Sequence, residues 1–254
     1  KLYTKDDVKF TGQAKAEGTE ASTYQMHLTK DQFSNKNSNF KEVTFVVEDG
    51  SLTINPKSIT PDGPNTPDEK KTGITVNEPS DSKYDGKEHK EVLTVTDTKT
   101  GKELVAGTDY SVTYSSDLVN AGTVTIKVAG LGNYTGSFEK TYKITKRSVT
   151  LTSEDGTKPY DGTALTKPAV TVSGDGFVEG EVSDIKATGS VTTVSEGEVT
   201  NTITFTKKTD YKDGNYTIVK KEGKLSITAK SIVPDGPNTP DEKKTGITVS
   251  EPSD

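Results

Sequence analysis

The sequence predicts an all-β chain of small domains arranged in tandem, and three observations carry that prediction. Apolar residues alternate with Thr, Ser and Lys at a period of two. Turn residues, chiefly Asp-Gly and Asn, bound those runs at short intervals. The chain also repeats itself, and a missed repeat would misread the whole fold. Composition alone decides less. Of 254 residues 28% are hydrophobic and 28% charged, and Leu, Ile, Val and Phe together total 51, at the edge of the range in which a chain stays disordered. So few apolar residues suit several thin cores better than one large one.

The repeats organise everything else. Ser58 to Asp81 reads SITPDGPNTPDEKKTGITVNEPSD and Ser231 to Asp254 reads SIVPDGPNTPDEKKTGITVSEPSD. These 24-residue copies differ only at Thr60/Val233 and Asn77/Ser250, at a register of 173 residues. Weaker likeness continues upstream. DVKFTG at Asp7 to Gly12 matches DIKATG at Asp184 to Gly189, and STYQM at Ser22 to Met26 matches NTITF at Asn201 to Phe205. Asn39-Phe40 matches Asn215-Tyr216, and DGSLTIN at Asp49 to Asn55 matches EGKLSIT at Glu222 to Thr228. One period holds two units, each with Tyr-Asp-Gly near its start (Tyr84 to Gly86, Tyr160 to Gly162) and Asn-Tyr-Thr near its end (Asn133 to Thr135, Asn215 to Thr217). The domain plan is therefore 1–57 as the C-terminal part of a unit of the second kind, incomplete because nothing in it matches 147 to about 182. A Pro-rich linker follows at 58–72, then full units at 73–146 and 147–230, then linker and the start of the next repeat at 231–254. Both ends read as fragments of a longer array.

Along the chain, Tyr24-Met26-Leu28, Tyr110-Val112-Tyr114, Val124-Ile126-Val128, Val170-Val172, Ile203-Phe205 and Leu225-Ile227 each place apolar side chains on one face of a strand. The 41 Thr favour the same state, because a β-branched side chain fits a pleated, half-exposed surface. Asp155-Gly156, Asp175-Gly176 and Asp213-Gly214 fall between runs at hairpin spacing. No window of helical period is long enough to compete. Each unit of about 80 to 90 residues has room for six or seven short strands, the size and rhythm of a small β-sandwich. The fold class expected is all-β, with tandem Ig-like β-sandwich domains in an elongated array. With no Cys and no Trp, the core must rest on Val, Ile, Tyr and Phe.

The junctions differ. Tyr142 to Leu151 alternates without Gly or Pro, so one strand should lead almost directly into the next across Lys146-Arg147. Pro61, Pro64 and Pro67, repeated at Pro234, Pro237 and Pro240, predict an extended polyproline II spacer instead.

A resemblance lies on the same residues. ELVAGTDYSVTYSSDLVNAGTVTIKVAGLGNYTGSFEKTYKIT (Glu103 to Thr145) resembles the Ig-like repeats, sometimes called MBG-type, of large surface proteins of Gram-positive bacteria. KPYDGTALTKPAVTVSGDGF (Lys158 to Phe177), followed by DGNYTI (Asp213 to Ile218), resembles their partner YDG-type repeats. The resemblance spans most of the chain outside the Pro-rich segments. It implies a tandem array on an extracellular, cell-wall-anchored adhesin or stalk, and it brings no catalytic residues.

Charge and residue supply narrow the function classes. There are 38 acids against 32 bases, a net charge of -6, and Arg147 is the only Arg. A phosphate-tracking groove needs the opposite balance, so no nucleic acid partner is expected. No stretch approaches the ~18 consecutive apolar residues of a membrane span, so no membrane insertion is expected. The lack of Cys removes disulfides and thiolate sites. His27 alternates with Tyr24, Met26 and Leu28 and should face solvent, while His89 sits in a Lys-Glu-His-Lys stretch that reads as a solvated loop. Neither has the partners that catalysis or metal binding requires. Carboxylates are plentiful, but nothing builds a platform for a glycosidase pair, and no Asp-x-Asp-x-Asp spacing invites Ca²⁺. Tyr-Asp-Gly reads as structural: Gly supplies positive φ, Asp bonds its own backbone, and Tyr84 or Tyr160 plugs the end of its domain. Asn-Tyr-Thr reads the same way, although Asn-x-Thr also spells a glycosylation acceptor.

No catalytic, cofactor-binding or metal-ligating residue is therefore assigned, ligand-binding residues stay unassigned, no cofactor is expected, and the chain is not expected to be an enzyme. The first functional expectation is an extended stalk or spacer segment of a bacterial surface adhesin, monomeric within a longer chain. The alternative is a binding module that engages host glycan, mucin or host surface protein through the repeats themselves. The two differ in where the tyrosines go, because an exposed aromatic cluster favours binding.

Overall fold

The structure, a computed structural model, describes residues 2–115 and 117–250, with Glu242 described by its backbone alone. It is 39% strand and 7% helical, so the chain is all-β with several sheets. Two compact units form. One comprises Lys1–Ser80, Lys90–Asp117 and Thr123–Tyr142; the other comprises Asp81–His89, Leu118–Gly122 and Lys143–Asp254. These units cut across the repeats read from the sequence, since Tyr84–Gly86 and the loop Leu118–Gly122 go with the later one.

In the first unit, residues before Lys57 make two short antiparallel pairs, Val8–Phe10 with Phe33–Asn35 and Ser22–Gln25 with Ser51–Ile54. Phe10 stacks on Phe33 at 4.8 Å, yet among described residues up to Ser58 none is fully buried. The dense core begins at Ile59 and continues through Ile74, Leu93, Val95, Tyr110 and Val124. Ile74–Val76, Val95–Asp97 and Lys102–Glu103 form one sheet. Tyr110–Tyr114 pairs with Gly122–Gly130, which neighbours Ser137–Thr145. Alternation holds here as expected, with Val124, Ile126 and Val128 buried and the residues between them more open.

The second unit is organised by parallel pairs. Arg147–Ser153 lies between Val170–Gly174, antiparallel, and Tyr216–Lys221, parallel. Its period of two buries Val149, Leu151 and Ser153. Gly156–Pro159 then runs parallel to Lys224–Thr228, in a different sheet. Two neighbouring strands thus change sheets together, one at Glu154-Asp155 and the other at Glu222-Gly223, the corner device of packed sheets. Gly223 permits the close approach, because a Cβ there would stand 2.3 Å from the Glu154 carbonyl oxygen. The fully buried Asn201 latches the crossing. Its Nδ2 donates to the carbonyls of Glu154 (3.1 Å) and Lys167 (2.9 Å), and its backbone N–H donates to Gly223 (2.8 Å). Ser153 Oγ donates to the Asn201 carbonyl at 2.7 Å and accepts the Gly223 N–H at 3.0 Å. Asp155-Gly156 is therefore a sheet-switching corner and not the hairpin turn its spacing suggested, since the strands it joins, Arg147–Ser153 and Gly156–Pro159, lie in different sheets and pair with other strands.

The junction Tyr142 to Leu151 is nearly all strand, Ser137–Thr145 and Arg147–Ser153 being separated by Lys146 alone. The Pro-rich segments differ from expectation. Asp62 donates its N–H to the Ile74 carbonyl, and its carboxylate accepts from Thr72 N (2.7 Å), Thr72 Oγ1 (2.9 Å) and Gly73 N (2.7 Å). The ends of 61–73 therefore meet in a closed loop. Asp235 repeats the pattern on Thr245 and Gly246 at 2.6, 2.9 and 2.7 Å. A polyproline II spacer leaves its backbone to water, whereas one carboxylate here satisfies three donors, and that local gain overrides the Pro spacing. Ile59, just before this loop, is 0% exposed, so the segment starts inside the core and not as a linker.

Gly223→Ala is expected to cost about 1–3 kcal/mol, the range for overpacking against a fixed backbone, as measured by urea unfolding. Its counterpart Gly50→Ala should cost less, because its nearest neighbour is the Met26 thioether, which can swing aside.

Candidate functional site

The two Asn-Tyr-Thr triplets sit in one recurring arrangement. Tyr134 and Thr135 pair in parallel with Lys57 and Ser58, and Tyr216 and Thr217 pair in parallel with Arg147 and Ser148. In both, a basic residue, Ser and a buried β-branched residue (Ile59 or Val149) form the facing strand. The same triplet recurs at Lys230-Ser231-Ile232. This recurrence is visible in the sequence, but it has no period or turn signal to mark it.

Each Asn holds a loop. Asn133 Oδ1 accepts the Ala21 N–H at 2.6 Å, and its Nδ2 donates to Glu20 Oε2. Asn215 Oδ1 accepts the Ala121 N–H at 2.8 Å, and its Nδ2 donates to Asn120 Oδ1 at 3.0 Å. Asn215 is buried, so the folded chain does not offer it as a glycan acceptor.

Each Tyr covers a buried carboxylate. Tyr134 OH reaches Asp97 Oδ2 at 3.5 Å, while Lys57 Nζ holds the same oxygen at 2.6 Å. Tyr216 OH donates to Glu181 Oε2 at 2.5 Å and accepts the Val178 N–H at 3.0 Å. The other Glu181 oxygen takes the hydroxyl of Tyr84, from the first Tyr-Asp-Gly. The Tyr84 and Tyr216 rings meet edge to face at 5.8 Å. Arg147, the only Arg, donates to three carbonyls: Nε to Gly176 (2.7 Å), Nη1 to Tyr84 (3.2 Å) and Nη2 to Asp175. The planar guanidinium spreads its donors over three nitrogens and so spans three separated carbonyls in fixed geometry, which suits an Arg to this place in a Lys-rich chain. Lys83 pairs with the Asp175 carboxylate at 2.5 Å, and that carboxylate also accepts the Ser148 N–H at 2.8 Å.

The electrostatics follow from burial. Tyr84 is pushed up to about 12 by burial and by its hydrogen bond to Glu181, and Tyr216 is raised further by the same two causes. Burial pushes Asp97 upward, but the hydrogen bond and charge of Lys57 and the Lys99 N–H outweigh it and hold the carboxyl below its ordinary range. These groups lie inside the fold. Their arrangement fixes backbone, and it does not present a reacting atom to solvent.

The remaining residues singled out from the sequence fall as follows. His27 is exposed, as its alternation implied. His89 lies in a loop whose Lys87, Glu88 and Lys90 are exposed, as its stretch implied, but its own ring is half-buried and bonds Asp85 at 2.9 Å. Tyr84 is buried as expected of a plug, but Tyr160 is 43% exposed, beside an open depression of about 590 Å³ that includes Val194, Ile232 and Ile247. Glu181 and Tyr216 face Tyr84, whereas Tyr160 faces the segment from Lys230. Tyr84, Tyr110, Tyr134, Tyr142, Tyr211 and Tyr216 are buried, and Tyr211 and Tyr216 form one aromatic cluster with the half-buried Phe177 and Phe205. Among the described residues no group of three or more His, Cys, Asp or Glu is placed to hold a metal, and no helix is long and apolar enough to cross a membrane. No known family model matches the chain, and no curated protein matches it in sequence.

Two outcomes test the arrangement. Unfolded tyrosine ionises near ~10. Because the folded values of Tyr84 and Tyr216 lie higher, their contribution to stability is complete below pH ~10 and is lost as pH rises toward and past 12. Melting temperature should therefore fall steeply above pH ~10, and Tyr84→Phe should make that fall shallower. Asn215→Ala leaves the Ala121 N–H without its acceptor and should cost about 1–3 kcal/mol in thermal unfolding.

Proposed function

We propose that this chain is a repeat segment of a Gram-positive bacterial cell-surface adhesin, built of MBG-type and YDG-type Ig-like sandwich units, and that it acts as a stalk or spacer. The burial of the tyrosines carries this reading. A repeat that bound host ligands through an aromatic platform would hold its tyrosines open, whereas six of the ten here, including both from Asn-Tyr-Thr, serve the interior. Supporting features are the near-identical copies at a 173-residue register, the acidic net charge and the polar surface rich in Thr, Lys and Glu, all suited to a soluble extended array. Extracellular display at the cell wall, and a monomeric state within a longer chain, belong to the same proposal.

The alternative, direct binding of host glycan or host protein, is favoured by the apolar depression beside Tyr160 and by a second one in the first unit lined by Phe10, Phe33 and Phe45. Glycan arrays and host-protein screens on the full chain, and on linked 173-residue periods, discriminate the two. The spacer predicts signals at background for both, with no gain from linkage. Binding that grows with linkage and is lost in Tyr160→Ser would overturn it.

A further inference from the structure

Each repeat brings the strands by which the chain enters alongside the strands by which it leaves, and does so twice, always in parallel. In the later repeat Arg147–Ser153 pairs with Tyr216–Lys221, and Gly156–Pro159 with Lys224–Thr228. In the earlier one Lys57–Ser58 pairs with Tyr134–Thr135, and Ser82–Lys83 with the end of Ser137–Thr145. The first patch holds Asn-Tyr-Thr and the second runs into Tyr-Asp-Gly in both. There the Tyr84 N–H donates to the Thr145 carbonyl and the Tyr160 N–H to the Thr228 carbonyl, each at 2.9 Å. Two repeats whose sequences otherwise differ thus share one way of joining entry to exit.

The direction of these pairs decides how they meet tension. A pull along the chain at Lys146 and Lys230 drags Arg147–Ser153 toward its own start and Lys224–Thr228 toward its own end. Because the paired strands point the same way, their hydrogen bonds lie across the load and must give together. Antiparallel strands joined at the same two ends would instead open one bond at a time.

The corner between the two patches does not interrupt this sharing. The Lys224 N–H donates to the Asp155 carboxylate at 2.7 Å, and Asn201 bonds both Glu154 and Gly223. Val149, Leu151 and Leu225 are 0% exposed, so a slide of either strand also drags its side chains through the core.

We propose that the paired entering and leaving strands of Arg147–Thr228 are a mechanical clamp, which makes the repeat a load-bearing link that resists tension along the chain and yields more easily in other directions. The clamp rests on strand pairing alone. Its use, keeping a tethered array folded while it is pulled, rests on the stalk reading, which the binding screens test separately.

The absence of Cys allows force to be applied at chosen points of the full chain. Lys146, Lys212 and Lys230 are exposed, so thiol handles there should leave the melting temperature unchanged. Lys146→Cys with Lys230→Cys pulls along the chain and loads the clamp in shear. Lys146→Cys with Lys212→Cys pulls at the starts of Arg147–Ser153 and Tyr216–Lys221, and so peels the same pair from one end. In single-molecule stretching at one loading rate, the mean rupture force should be about two- to threefold higher in the first geometry, because forced unfolding reports the barrier to strand separation. The first geometry should also release the segment from Arg147 to Ala229 in one event. Equal forces in the two geometries, a higher force on peeling, or stepwise release along the chain would each overturn the proposal, whatever the screens return.

Discussion

The parallel pairing of a first strand with an Asn-Tyr-Thr strand is the constraint on which the rest of the structure depends. Parallel neighbours need a long crossover, so the stretch from Arg147 to Tyr216 has to return to where it began before either end has a partner. Closing so long a loop costs conformational entropy that only the completed core recovers. This explains why buried residues concentrate along that seam: Val149 and Leu151 on one strand, Tyr216 beside them, and Leu225 and Ile227 where the pair continues into the next sheet. It also explains Gly223, since two strands that turn a corner side by side leave no room for a Cβ between them.

A chain this poor in apolar residues closes the seam with buried polar groups, and they are satisfied. Asn201, Asn215, Asp97, Glu181 and Ser153 are all buried, and among the described residues no buried side-chain nitrogen or oxygen lacks a hydrogen-bond partner. Such groups add little net stability over an apolar core of the same shape, because desolvation offsets most of what pairing returns. What they add is selectivity of pairing. A slip of the Tyr216 strand by one residue would turn the Tyr216 hydroxyl away from Glu181 Oε2 and part Asn215 from the Ala121 N–H, leaving buried groups unsatisfied. Arg147 belongs to the same logic, as its three carbonyl acceptors lie at the start of the seam.

The sequence made the strand content, the alternation at Val124, Ile126 and Val128, the near-continuous strand through Lys146 and the structural nature of Asn-Tyr-Thr legible. These are local properties, carried by period and propensity. It did not make the parallel pairs legible, because an Asp-Gly dipeptide signals a turn without saying whether the strands beyond it pair with each other or with distant partners. Nor did it show which Tyr-Asp-Gly would be buried. Tyr84 and Tyr160 carry the same local signal, and the difference is Glu181 and Tyr216, which no local pattern links to Tyr84. The candidate site was half visible: its Asn and Tyr recur, but the carboxylates and the facing strands have no common spacing.

The near-identical copies separate local from tertiary causes within one molecule. The Asp62 and Asp235 loops have the same hydrogen bonds although one copy is packed and the other open, so the loop is a property of its own residues. A short carboxylate that bonds a Thr-Gly backbone is enough to close it, whatever surrounds it. The strand beside the loop behaves oppositely. Lys57–Ser58 is a strand and Ile59 a core residue only where Tyr134–Thr135 lies alongside, while Ser231 and Ile232, with the same side chains, are neither. Strand formation at this position is therefore conditional on a partner, and the polar loop is not. A segment that holds its shape without a packed neighbour loses less entropy on packing than a disordered one.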